Sequence, residues 1–171
     1  MNKFMCRRYL LFCVSLFVNA LGIAFITKAA LGTSPITSVT YVLSMFTPFT
    51  IGQWTILLNL LFVILELFLM TREDLKSDLR MYLLQIPISF SFGMFIDLCM
   101  HYILFWLNPV EYVYMIVALL IGCVILAVGI ALEVKANAAM MAGEYFVKVI
   151  TRRFRGEFGY IKLGFDVTLV A

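Results

Sequence analysis

Ionisable side chains are few in this sequence, and those able to do chemistry sit inside or at the edges of apolar runs. Lys28 and Lys135 each close such a run, Glu133 precedes the second lysine, and Glu66 falls one turn before the end of its own run. Asp97, Asp166 and the amide Asn59 lie deeper. A charge at the centre of a membrane helix costs at least ~2.5 kcal/mol, so each needs a reason to be there. For Glu66, Lys28 and Lys135, reaching out to the interface is reason enough.

Two constellations go further. In the first, Lys28 is followed by Thr33-Ser34-Pro35, a helix start in which Ser34 caps and Pro35 takes the first helical position. The six residues from Lys28 to Thr33 reach about 20 Å when extended, enough to dip to mid-depth before a short helix returns. The buried helix N-terminus, with Lys28 nearby, would favour a small anionic solute, although a purely structural loop accounts equally for the residues. In the second, Asp97 and Asp166 would share a proton or cation, since two close carboxylates cannot both stay charged in a dry site. A proton- or sodium-coupled carrier needs this chemistry, and a polar cluster joining helices would use the same side chains.

Enzyme chemistry finds no footing. The sequence has no His-Glu-x-x-His, no Gly-x-Ser-x-Gly and no Cys-x-x-Cys. Its one histidine, His101, stands beside Tyr102 and Trp106 as in an aromatic interface belt. No catalytic residue, metal site or cofactor is expected, and ATP-driven work would need a separate partner because nucleotide-cradling Gly-rich loops are absent.

Composition identifies the solvent of the elements that carry these residues. Of 171 residues 64% are hydrophobic and only 13% charged, about half of the roughly 25% that a soluble surface requires. Most of the chain must face lipid. A net charge of +3 and four cysteines without paired spacing exclude a nucleic-acid-binding module, a disulfide scaffold and disorder.

A membrane-crossing helix needs about 20 mostly apolar residues. Four runs qualify: Tyr9 to Thr27, Ile51 to Met70, Met81 to Trp106, and Tyr112 to Leu132. A fifth begins at Tyr160 and reaches Ala171. The first run follows Lys3, Arg7 and Arg8 and has no small-x-small cleavage site, so it reads as an uncleaved helix. The charged stretch Thr71 to Arg80 and the Leu107-Asn108-Pro109 break read as loops. Two apolar segments, 34–49 and 138–150, are too short or interrupted for an easy crossing, and Glu144 and Lys148 share one face of the second.

Comparing the chain with itself gives one fixed offset of 107 residues. Gly22-Ile23-Ala24 and Lys28-Ala29 recur as Gly129-Ile130-Ala131 and Lys135-Ala136, Gly52 falls on Gly159, and Asn59 falls on Asp166. The expected organisation is one membrane domain over 1–171, with a first repeat at 9–106 and a partial second at 112–171. By this offset a full second copy would end near position 213, which makes the chain an expected fragment. Positive charge sets the orientation. If the two short segments are re-entrant, then Lys3, Arg7, Arg8, Arg72, Lys76, Arg80, Arg152, Arg153 and Arg155 all lie inside and none of the outer loops is basic. Full crossings would put three of these outside. The re-entrant arrangement inverts the two copies, a plan that recurs in secondary transporters.

The string Gly22-Ile23-Ala24, Lys28-Ala29, Leu31-Gly32-Thr33-Ser34-Pro35, Gly52-x-Trp54, Asn59, Phe92-Gly93, Ile96-Asp97 and Phe165-Asp166-Val167 resembles the YczE/YitT group of uncharacterised bacterial membrane proteins. The Leu-Gly-Thr-Ser-Pro element is its most specific part. The resemblance implies a polytopic protein of the bacterial inner membrane and little about activity, in a group whose members usually run to a little over two hundred residues; the basic-residue count puts the amino terminus in the cytoplasm. The expectation is therefore an all-α polytopic membrane protein, transporter-like, with Lys28, Thr33, Ser34, Asn59, Asp97, Lys135 and Asp166 as candidate binding residues. The alternative is a non-catalytic subunit that binds a substrate or lipid and docks on a partner membrane protein or a second copy. Ala118 with Gly122 and Ala127 with Ala131 would suit such close helix contact.

Overall fold

The computed structural model describes residues 3–70, 72–107, 109–136, 139–154 and 156–170, with the backbone alone at 3–6, 72–78, 80 and 154. Thr71, Asn108, Ala138, Arg155 and Ala171, which bound or fill expected elements, lie outside the described residues. Among those described the elements are all helical: α1 (Lys3–Lys28), α2 (Pro35–Phe46), α3 (Ile51–Leu69), α4 (Arg72–Leu98), α5 (Tyr112–Ala136), α6 (Ala142–Phe154) and α7 (Phe158–Val170). α4 runs on into a π turn, Cys99–Ile103, closed by the Leu104 N–H on the Cys99 carbonyl at 2.8 Å. Four stretches, at 7–28, 51–69, 81–103 and 112–136, are long and apolar enough to cross a membrane. The protein is an all-α polytopic membrane protein.

One expected loop is a helix. The charged stretch 72–80 is the first part of α4, because its Arg, Glu, Leu and Lys residues are good helix formers and charge marks only where a helix leaves lipid. α4 also continues through Pro87, a break tolerated in membrane helices, and the Ser91 hydroxyl donates to the Pro87 carbonyl at 2.9 Å.

α1 and α5 form the central pair. Arg8 donates from Nε to the Ala136 carbonyl at 2.9 Å, Gly129 faces Asn19, and Gly122 faces Ile26, so the two helices run antiparallel. Close approach depends on two glycines. A Cβ on Gly22 would lie 2.7 Å from the Leu126 backbone nitrogen, and one on Gly129 would lie 2.9 Å from that of Asn19. Gly22 and Gly129 are 107 residues apart, as are Asn19 and Leu126, so the contact is reciprocal. Of the small-residue pairs, Ala118 and Gly122 are buried, while Ala127 and Ala131 are exposed.

The other helices clasp this pair. α4 packs on α1 and α3, α2 on α3 and α7, and α6 on α7 and α3. α2 and α6 start 107 residues apart, and so do α3 and α7. Phe62, Phe146 and Phe165 bring α3, α6 and α7 together, with ring centroids 5.3 to 5.7 Å apart. At the far end of α3, Glu66 does not reach out to an interface. It is 0% exposed beside Gln85 of α4, and neither its carboxyl oxygens nor the Gln85 amide atoms have a hydrogen-bond partner. The facing surface of α4 covers it, which the position of Glu66 in its own helix could not reveal.

Candidate functional site

Two cavities receive the residues singled out from the sequence. A central cavity of about 270 Å³ opens between the α1–α5 pair and the starts of α2 and α6. Asn19 and Ile23 of α1 and Leu126, Ile130 and Glu133 of α5 line one side, while Ser34 to Thr37 and Met141 to Glu144 contribute the two short-helix starts. Thr55 and Asn59 of α3, Phe92 of α4 and Lys162 of α7 complete it. A second cavity at the Lys28 end of α1 holds Lys28, Thr47, Thr50, Asp97 and His101.

The chain reaches the first cavity from the second by folding back. α1 ends at Lys28, Ala30 takes a left-handed backbone (φ 55°) and Gly32 a positive φ of 141°, and Ser34 then lines the same cavity as Asn19. Nine residues separate Asn19 from Lys28, about 13 Å along the helix. α2 then climbs back until Thr47 shares the end cavity with Lys28. Segment 34–49 thus starts at the cavity that holds Asn19 and ends at the one that holds Lys28. Ser34 caps α2 as its sequence implies: Oγ accepts from the Thr37 N–H at 3.4 Å and lies 2.8 Å from the Thr37 hydroxyl.

This path separates residues that the sequence grouped. Ser34 lines the central cavity and Lys28 the other one, so the expected Lys28-Thr33-Ser34 anion site does not assemble; the fold-back carries the helix start away from the lysine. Thr33 lines neither cavity, and its Oγ1 is buried without a partner. Lys135 is exposed at the end of α5. Asn59 is buried at the central cavity.

Asp97 and Asp166 also part company. Asp97 accepts from the Thr50 hydroxyl at 2.6 Å and from the Gly52 N–H at 2.9 Å, satisfying donors at the α3 N-terminus. The same start carries a capping box between Thr50 and Gln53. Asp166 pairs with Lys162 of its own helix at 2.9 Å. The expected shared-proton dyad is replaced by a cross-helix cap and an i,i+4 pair, because α4 packs on α3 at the end where Gly52 and Gly93 allow backbone contact. Glu144 and Lys148 follow the same pattern: Lys148 lies over the Tyr145 ring at 5.7 Å, and Glu144 faces the cavity.

A test of the cap follows. Asp97→Leu removes the acceptor for both α3 donors, and bonds to a charged group contribute about 1.5–3 kcal/mol each. The variant is expected to melt at a clearly lower temperature in detergent, with Asp97→Asn in between. Unchanged melting in Asp97→Leu would remove this role.

Sequence reasoning missed what lies deepest in the central cavity. Asn19 is 2% exposed and donates from Nδ2 to Glu133 Oε2 at 2.8 Å; Glu133 is 8% exposed. Asn19 Oδ1 and Glu133 Oε1 are buried without partners. A signal existed, since an amide inside an apolar run is itself unusual. Its counterpart at the repeat offset is Leu126, so the self-comparison passed over it.

A helical membrane protein with a mostly apolar cavity, dotted with a few polar side chains, where two short helices begin is the class that fold and site define. The chain belongs to a family of unknown function, DUF6198, whose profile matches residues 6–171. Neither a curated protein nor a solved structure matches it.

Proposed function

We propose that this chain is a non-catalytic, transporter-like protein of the bacterial inner membrane, a carrier whose small solute occupies the central cavity. One observation carries the reading. The walls of that cavity come in pairs 107 residues apart: Asn19 with Leu126, Ile23 with Ile130, Ser34 with Met141, Ile36 with Gly143, Thr37 with Glu144, and Thr55 with Lys162. A cavity lined in this way lies on the pseudo-two-fold axis of a duplicated unit. The reciprocal Gly22 and Gly129 contacts and the equal spacing of helix starts support the same duplication.

Because α1 and α5 run antiparallel, the copies are inverted, and two inverted halves can exchange inward and outward shapes around a fixed site. The amino terminus is cytoplasmic in this proposal, as the basic residues require. Kinship with the YczE/YitT group is part of it, carried by the Leu31 to Pro35 element that forms the fold-back.

Accessibility from both faces tests the reading without knowing the solute. In a variant with Cys6, Cys13, Cys99 and Cys123 replaced, Thr55→Cys places one thiol in the cavity. A membrane-impermeant thiol reagent is expected to modify it in right-side-out and in inverted vesicles. Reaction from one face only, or from neither, would favour the static subunit.

A further inference from the structure

Two carboxylates, Glu133 and Glu144, and one lysine line the central cavity, and that balance sets the charge of what it can hold. Asn19 and Glu133 use one hydrogen bond on each other, leaving Glu133 Oε1 buried and unpartnered, while Asn19 Oδ1, also unpartnered, lies against Gly129 in the α1–α5 crossing. A buried acceptor without a donor loses its hydration and gains nothing in exchange, at a cost of about 1–3 kcal/mol and more if charged. Glu144 at the α6 start is a second carboxylate on the same cavity.

The donors on the cavity are neutral or paired: the Asn59 amide and the first-turn N–H groups of α6 carry no full charge. Lys162 is held by Asp166 at 2.9 Å. In the first turn of α2, Pro35 has no N–H, the Thr37 N–H goes to Ser34 Oγ, and the Ser38 N–H goes to the Ser34 carbonyl at 2.8 Å. Ile36 alone keeps an N–H for a ligand, so the pull of this helix start on an anion is weak against two carboxylates. The remaining wall includes Ile23, Ile130, Leu126 and Phe92, which are hydrocarbon. The volume is several times the roughly 30 Å³ share of one water, more than a bare metal ion fills.

We propose that the central cavity binds a small organic cation bearing a primary ammonium group. Its N–H groups are taken up by Glu133, Glu144 adds a second negative charge, and its hydrocarbon part lies against Ile23, Ile130 and Phe92. This rests on the carrier reading for the place of the ligand, and adds the sign of its charge. A primary ammonium supplies three donors in a compact head, suited to the carboxylates of α5 and α6.

Equilibrium binding on the full chain in lipid nanodiscs tests it with three probes: propylammonium chloride, sodium propionate and sodium chloride. Saturable binding of propylammonium is expected, weakened at least tenfold by the isosteric Glu133→Gln, with no saturable binding of propionate or sodium. If Glu133→Gln does not give monodisperse protein, Glu144→Gln is the second variant and must weaken binding as well. Saturable propionate or sodium binding in place of propylammonium overturns the proposal, as does propylammonium binding indifferent to these substitutions. Absence of binding by all three probes also overturns it. The vesicle result for Thr55→Cys is independent of the ligand, so modification from both faces alongside failed ammonium binding removes the cation and leaves the carrier.

Discussion

Gly129→Leu is expected to give almost no folded protein. The new side chain would start within contact range of the Asn19 backbone, at the crossing that joins α1 to α5. Backbone cannot yield as a flexible side-chain end does, and overpacking a well-packed core already costs about 1–3 kcal/mol where neighbours can shift. Here the two helices must separate, which also breaks the Asn19 to Glu133 bond. Gly22→Leu should fail in the same way against Leu126. Gly164→Leu is the control, since a Cβ there meets nothing within 4 Å. Monodisperse yield on size exclusion in mild detergent reads the outcome, and normal yield of Gly129→Leu would mean that the α1–α5 crossing is not as close as described.

The second large effect has the opposite sign. Replacing Glu66 and Gln85 together by leucine is expected to raise the melting temperature. Glu66 is fully buried with both oxygens unpartnered, and both Gln85 amide atoms are unpartnered too. Removing both members of a buried polar contact leaves nothing unsatisfied, and exchange of buried ionic groups for packed hydrophobes has stabilised proteins by about 1–4 kcal/mol. Tyr82, which donates to the Val63 carbonyl at 3.2 Å, holds α3 and α4 together one turn away in either variant. Glu66→Leu alone should gain less, because Gln85 stays stranded. A melting temperature that falls in the double variant would instead mark the pair as a site that a cation or water satisfies, and would give Glu66 a functional role.

The outcome for the candidate residues follows from how the chain is routed. Ser34 and Asn59 reach the central cavity, yet the lysine and carboxylates that gave the sequence its apparent chemistry go to caps, ends and an i,i+4 pair. Charges are the easiest polar residues to see in an apolar sequence. Many of them sit near helix ends, where interface and capping roles compete with function.

By itself the sequence determined the solvent, the class and the punctuation. Apolar runs of about 20 residues can only be membrane helices, because backbone groups in lipid must be satisfied within the segment. Ser34-Pro35 and Thr50 with Gln53 fixed two helix starts, since caps are local chemistry. The spacing of 107 residues read from the sequence also separates the starts of α2 and α6, the starts of α3 and α7, and the Gly22 and Gly129 contacts. Tertiary structure alone decided that residues 72–80 extend α4, that the turn at Ala30 and Gly32 brings Ser34 to the cavity that Asn19 lines, and that Asn19 meets Glu133. Asn19 and Glu133 are 114 positions apart on different helices, so no periodicity links them. Their meeting depends on where two antiparallel helices cross, and packing at Gly22 and Gly129 sets that register.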